Sequence, residues 1–260
     1  MSFLRLDRSG GVVMLNLARP EARNALNAEM IAELTQAFRD LSKDNSIRVL
    51  VLAADGQTFC AGADANWMKS QKGVSESENL ADAMKIFDLF RSVYEFPRPI
   101  IARVQGGAYG GGAGLVCCSD IVVMADDVQT AFSEVRLGVV PATISTFVIR
   151  KIGEGRAREL FLTGRRITAQ ECLQFGLATE VVTADKLDES VVFWADELLK
   201  ASPSAQTVTK ELLREVPQLS LEQAREFTPL RIAKQRVTAE GQEGLAALLE
   251  KRAPNWSVPQ

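Results

Sequence analysis

Apolar residues follow two different rhythms along the first two-thirds of the chain. Compact β-branched runs at 12–17, 49–53, 100–104 and 121–125, bounded by Gly, Pro or Asp, predict buried strands. Between the first two, Met30, Ile31, Leu34, Phe38 and Leu41 recur at the helical period, and Asn27 stands where a cap is needed. A second helical stripe, 83–94, carries Met84, Phe87, Leu89, Phe90 and Val93 and stops before Pro97, because the residue ahead of a proline is pushed out of the helical region. The pattern is a β/α alternation with at least three crossovers.

After about residue 185 the strand signals cease. Segments 187–200, 204–214, 221–234 and 239–252 read as helices, punctuated by Pro203 and Pro217, with Ser220 as a cap. A run of helices after a β/α body predicts an appendage that covers the core or packs on another subunit. The polar stretch 69–79, Lys-Ser-Gln-Lys-Gly-Val-Ser-Glu-Ser-Glu-Asn, reads as a mobile surface loop.

Composition narrows the chemistry. The 260 residues include 30 Lys+Arg against 33 Asp+Glu, a formal net charge of −3, and no histidine. Triads built on His are therefore excluded, as is an HExxH zinc site, and acid–base work falls to carboxylates, Lys, Tyr or Cys. The charge balance gives no whole-chain reason to expect nucleic acid. Cys60, Cys117, Cys118 and Cys172 form no CxxC pair, and the start MSFLRLDRSG lacks the apolar stretch of a secretion signal, so a cytoplasmic protein with reduced thiols is expected. The uncharged stretch 104–119 is Gly-rich and shorter than the roughly 20 residues of a bilayer span, so it reads as interior and not as membrane.

Three segments carry candidate chemistry. In Val104-Gln-Gly-Gly-Ala-Tyr-Gly-Gly-Gly-Ala-Gly-Leu-Val-Cys-Cys-Ser-Asp120, a strand, a glycine-dense turn and an apolar helix gather backbone N–H groups at a helix start. That geometry suits an anion or a developing oxyanion; close helix packing is the competing explanation. Phe59-Cys-Ala-Gly-Ala-Asp-Ala-Asn66 follows a strand, at the edge where open α/β folds bind ligands, and is equally consistent with an ordinary turn. In Phe132-Ser-Glu-Val-Arg-Leu-Gly138, Glu134 sits between Phe132 and Val135, where desolvation would raise its pKa; a surface Glu paired with Arg136 is the alternative.

Taken together, the order and content of these segments resemble the crotonase (enoyl-CoA hydratase/isomerase) superfamily. The likeness runs from Ala18-Arg-Pro-Glu-Ala-Arg-Asn-Ala-Leu-Asn27 to Glu250-Lys-Arg-Ala-Pro-Asn-Trp256. It implies an α/β fold with a ββα spiral core (1–195) that holds an acyl-CoA site. It also implies a helical C-terminal region (196–260) that drives assembly into a homotrimer or a hexameric dimer of trimers. The resemblance places the oxyanion-hole N–H groups on Ala63 and Gly111 and a catalytic acid/base on Glu134. It places CoA contacts on Ala22, Arg23, Ala25, Ala61, Asp64, Ala65 and Lys251, the last reaching phosphates from a neighbouring subunit. Trp67, Met68, Tyr109, Gly114, Pro141 and Thr143 would shape the acyl pocket. Coenzyme A is part of the substrate, and neither a cofactor nor a metal is expected.

One position departs from the family pattern. Hydratases of this kind carry two glutamates, and here the first position is Gly114. A single glutamate resembles many Δ3,Δ2-enoyl-CoA isomerases. The strings G-G-G-A-G-L-V-C-C-S-D and F-S-E-V-R-L-G-V-V-P-A-T-I-S instead resemble bacterial methylglutaconyl-CoA and related branched glutaconyl-CoA hydratases. The expected activity is hydration of a branched or glutaconyl-type enoyl-CoA. Isomerisation and non-catalytic acyl-CoA binding stand as alternatives.

Overall fold

The computed structural model describes residues 2–257. All four predicted strands form: β2 (Val12–Leu17), β3 (Val49–Ala54), β4 (Ile100–Val104) and β6 (Ile121–Ala125). They make the centre of a six-stranded sheet ordered β1-β2-β3-β4-β6-β9, with β1 at Leu4–Ser9 and β9 at Glu180–Val182. From β2 to β9 every pairing is parallel, whereas β1 runs antiparallel to β2 on the edge. Every residue of β3, Val-Leu-Val-Leu-Ala-Ala, is buried, as a parallel sheet covered on both faces requires.

A second sheet turns the body into a spiral. β5 (Gly107–Tyr109) leaves the large sheet just after β4 and pairs in parallel with β7 (Gln129–Ala131), which in turn runs antiparallel to β8 (Ile167–Thr168). Gly106 makes this departure possible. Its φ is +64°, and a Cβ there would run into the carbonyl oxygen of Gln57.

Helix α1 (Ala28–Leu41) is capped as predicted: the Asn27 side chain accepts from the Met30 N–H at 2.8 Å. Its stripe of Met30, Ile31, Leu34, Phe38 and Leu41 is buried, each side chain contributing about 1.5–3 kcal/mol. The 69–79 stretch is more ordered than its composition predicts. Helix α2 (Ala65–Ser70) enters it, and α3 (Glu76–Tyr94) starts inside it behind a capping box between Ser75 and Glu78. Helix α4 (Gly111–Cys118) is the short apolar helix of the glycine segment. Helix α5 (Ala142–Thr163) packs Phe147 against Phe87, Phe90 and Tyr94 of α3, and α6 (Ala169–Gln174) follows β8.

The remaining helices are α7 (Leu187–Leu199), α8 (Pro203–Glu215), α9 (Leu221–Arg236) and α10 (Ala239–Glu250). The expected 195/196 boundary falls inside α7, whose Leu187, Val191 and Ala195 belong to the main core. The helical appendage therefore begins after α7. No helix among the described residues is long and apolar enough to cross a membrane.

Buried and half-buried cations help to fasten the appendage. Lys210 of α8 is buried, and its ammonium donates to the Asp120 carboxylate and, at 3.0 Å, to the Arg98 carbonyl. Arg48, just ahead of β3, donates to the carbonyls of Leu199, Ala201 and Trp256 at 3.0, 2.8 and 3.3 Å. Burial pushes the Lys210 ammonium below its ordinary pKa, opposed by Asp120. Lys210→Met is expected to cost about 2 kcal/mol in a denaturant titration. That lies under the roughly 3–5 kcal/mol of a fully buried pair, because Asp120 stays partly hydrated.

Candidate active site

The three candidate segments meet where the chain leaves β3, β5 and β7. Two isolated bridges zip the 59–66 and 104–120 segments together and tie 59–66 to the turn at Leu26. Cys60 pairs with Ala108, through Cys60 N–H to the Gly107 carbonyl (3.1 Å) and Tyr109 N–H to the Cys60 carbonyl (3.0 Å). Leu26 pairs with Ala63, through Leu26 N–H to the Gly62 carbonyl (2.7 Å) and Asp64 N–H to the Leu26 carbonyl (2.9 Å). Gly110 N–H then donates to the Ala131 carbonyl at 2.9 Å, which draws the third segment in.

The two amides assigned to the oxyanion hole are not consumed by this zipping. Neither the Ala63 N–H nor the Gly111 N–H has an acceptor among the described residues, and Ala63 is exposed. Gly111 is the first residue of α4, so its amide is one of the helix-start donors that the helix cannot use. Gly62 and Gly110, which precede these residues, touch: a Cβ on Gly62 would lie 3.9 Å from the Gly110 Cα. Both have positive φ, +91° and +48°. Close approach of the two loops depends on their having no side chain.

Glu134 lies over the same point. A Cβ on Gly110 would be 3.2 Å from the Glu134 Oε1. The other carboxylate oxygen, Oε2, is buried without a hydrogen-bond partner among the described residues. Desolvation raises the Glu134 pKa above the ordinary carboxylate range, and its own backbone N–H opposes this only in part. The alternative of an ion pair with Arg136 does not form. Arg136 instead donates its Nε to the Thr163 carbonyl at 2.9 Å.

The other candidates separate into groups. Arg23 and Ala61 line an open cleft of about 640 Å³ together with Tyr109 and Ser133. Arg23 adopts φ +51° and accepts the Ala61 N–H at 3.0 Å, which fixes the cleft wall, while Ala22 and Ala25 flank it in the turn. Asp64 has its carboxylate engaged elsewhere. It caps α2 through the N–H groups of Asn66 (2.8 Å) and Trp67 (3.1 Å) and pairs with Arg19 at 2.7 Å. The Trp67 amide first, then Arg19, hold its pKa below the usual value despite the opposing burial. Ala65 and Met68 are exposed on α2 beside the half-buried Trp67, and Pro141 and Thr143 stand at the start of α5. Lys251 ends α10 with φ +54° and does not line the cleft of its own chain.

Gly114 is enclosed. A Cβ there would meet Ile144 Cγ2 at 2.5 Å and the Phe90 ring at 2.9 Å. The position expected in the acyl pocket thus faces packed side chains, and Phe90 is core. Gly114→Ala is expected to cost about 1–3 kcal/mol by overpacking, and Gly114→Glu more, read as a fall in Tm.

Asn24, in the same turn as Arg23, is fully buried; its Nδ2 donates to the carbonyls of Asp55 and Thr58 at 2.9 Å each and so shapes that turn. Sequence reasoning passed over Arg166 in the cleft. The doubled arginine of Thr-Gly-Arg-Arg-Ile-Thr168 was the available signal.

The family profile described as Enoyl-CoA hydratase/isomerase matches residues 7–259. The chain belongs to the enoyl-CoA hydratase/isomerase family. The crystal structure of an enoyl-CoA hydratase from Shewanella pealeana superposes with a TM-score of 0.94 at 38% identity, covering 98% of this chain and 96% of that one. Pseudomonas aeruginosa AtuE gives a TM-score of 0.96 at 32% identity, covering 99% and 100%. The 2,3-dehydroadipyl-CoA hydratase of Escherichia coli is 33% identical over 261 residues, 98% of this chain and 99% of that protein. This member of the enoyl-CoA hydratase/isomerase family therefore has the crotonase-like α/β fold and is an enzyme of the hydratase/isomerase class.

Proposed function

We propose that the chain is an enoyl-CoA hydratase, with Glu134 as its acid/base and the Ala63 and Gly111 amides as its oxyanion hole. The observation that carries this reading is the Glu134 carboxyl, one oxygen buried and unpaired, over the glycine that precedes the free Gly111 amide. The substrate's thioester oxygen accepts from both amides and gains charge as water adds to the β-carbon. Donors fixed before reaction cost no reorganisation, and each is worth about 3–4 kcal/mol. Glu134 takes a proton from the adding water and then delivers it to the α-carbon of the enolate, which completes the product and restores the carboxylate. No side chain beyond Glu134 titrates, and no cofactor beyond the substrate's CoA is needed.

The acyl group is proposed to be branched or carboxylated, of the glutaconyl type. The dehydroadipyl-CoA hydratase of E. coli supports this, since the thioester in its name carries a second carboxylate. In such a substrate that carboxylate, or the hydroxyl of Ser133 or Thr143, would hold the water. CoA is proposed to lie along Ala22, Arg23, Ala25, Ala61 and the backbone at Asp64 and Ala65, with Lys251 reaching a neighbouring copy. Assembly into trimers or hexamers is supported by the appendage, which leaves Leu221, Val237, Leu248 and Leu249 largely exposed. Four buried free cysteines fit a reducing compartment such as the cytoplasm.

A Δ3,Δ2-enoyl-CoA isomerase is the second reading, and the packing at Gly114 favours it, because no second carboxylate can stand there without displacing Ile144 and Phe90. Mass spectrometry over straight, branched and carboxylated enoyl-CoA thioesters separates the two. Hydration adds the mass of one water, and bond migration leaves the mass unchanged. A panel that binds without turnover removes both.

A further inference from the structure

The cleft beside the candidate site holds charge that no carboxylate among the described residues neutralises. Arg23, Arg136 and Arg166 line it, and no Asp or Glu does. None of the three makes an ion pair with a carboxylate among the described residues, although arginines elsewhere in the chain commonly do, Arg165 with Glu159 and Glu171 among them. Arg136 and Arg166 are nevertheless held in place by neutral groups. The Arg136 Nε is bound to the Thr163 carbonyl, and its stem lies across Gly164, where a Cβ would come within 3.1 Å of Arg136 Cγ. The Arg166 guanidinium stacks 5.6 Å above the Tyr109 ring. Both guanidiniums are thus oriented while their remaining N–H donors stay free, the condition under which an arginine binds a carboxylate or phosphate in fork geometry.

Position links the cleft to the reaction. Its lining residues Ala61, Tyr109 and Ser133 stand within two residues of Ala63, Gly111 and Glu134 in sequence. We propose that Arg136 and Arg166 form an anion subsite that binds a negatively charged oxygen group of the thioester substrate. The group is either a carboxylate on the acyl end or a phosphate on the CoA end. This rests on the acyl-CoA reading of the site and adds a recognition element to it.

The test uses four enoyl thioesters, with and without a terminal carboxylate, each made on CoA and on pantetheine, which lacks the nucleotide phosphates. Wild-type turnover is scored first, and an enzyme that converts none of the four overturns the acyl-CoA reading itself. With turnover established, Arg136→Gln and Arg166→Gln are compared by kcat/KM. The expected result is that selectivity for one kind of charged substrate over its uncharged counterpart falls about tenfold or more, as loss of a charge-assisted contact predicts. A fall in the preference for carboxylated acyl groups assigns the subsite to the acyl end; a fall in the preference for CoA over pantetheine assigns it to the phosphates. Selectivity ratios equal to wild type in both variants overturn the proposal. Arg166 makes no side-chain hydrogen bond among the described residues, so Arg166→Gln serves if the loss of the Arg136–Thr163 contact impairs folding.

Discussion

Glu134→Gln is expected to lower kcat by about 10²–10⁴-fold, the usual weight of a positioned acid/base, and at the same time to raise Tm. The two effects have one origin. Burial lifts the Glu134 pKa above its value in the unfolded chain, so in the window between the two the native state holds more protons. Stability then falls as pH rises from the unfolded value through the folded one, and above that window the charged form costs stability. Glutamine has the same shape without the charge, and the penalty disappears. Thermal unfolding at pH 4 and pH 8 checks the sign. The gain of the variant over wild type is expected at pH 8 and is expected to shrink at pH 4, where Glu134 is largely protonated in both states. Full turnover by the variant would remove Glu134 from the mechanism.

Gly111→Pro is expected to lower kcat by about 10²–10³-fold, with Gly111→Ala as its control. The first position of a helix tolerates proline because its N–H has no partner within the helix, so Gly111→Pro deletes the donor and little else of α4. The alanine variant keeps the N–H. It adds a Cβ 3.0 Å from Leu26 Cδ1, the free end of a side chain that can yield by a few tenths of an ångström. The ratio of the two rates therefore separates the exchange of the N–H for a ring carbon from crowding at the Cβ. Equal kcat in both variants would show that the oxyanion is held elsewhere.

Much of this architecture was legible in the residues, and what escaped did so for identifiable reasons. The four central strands and α1 announce themselves because burial on both faces, or along one stripe, forces an unbroken apolar pattern. Strand β1, Leu-Arg-Leu-Asp-Arg-Ser, is an exposed edge with charges in it, and β5, β7, β8 and β9 span only two or three residues each, too short to show a period. The start of α3 was hidden because Ser75 and Glu78 cap it with the polar residues that also mark loops. At the site, Glu134, Ala63 and Gly111 were named from motif resemblance. Their convergence, by contrast, depends on Gly62 meeting Gly110 across residues far apart in sequence, and no local pattern encodes that contact. The packing of Ile144 and Phe90 onto Gly114 was invisible for the same reason.

The anchoring of Arg48 also orders events in time. Its first carbonyl acceptor, on Leu199, lies 151 residues further along the chain, and its last, on Trp256, lies 208 residues away. At about 5–20 residues per second on the ribosome, the Leu199 acceptor is synthesised roughly 8–30 s after Arg48. Through that interval the guanidinium at the entrance to β3 must stay hydrated. A growing chain can therefore complete the large sheet as far as β9 while this corner is still open to water, and a translational stop before Trp256 would leave the arginine one acceptor short.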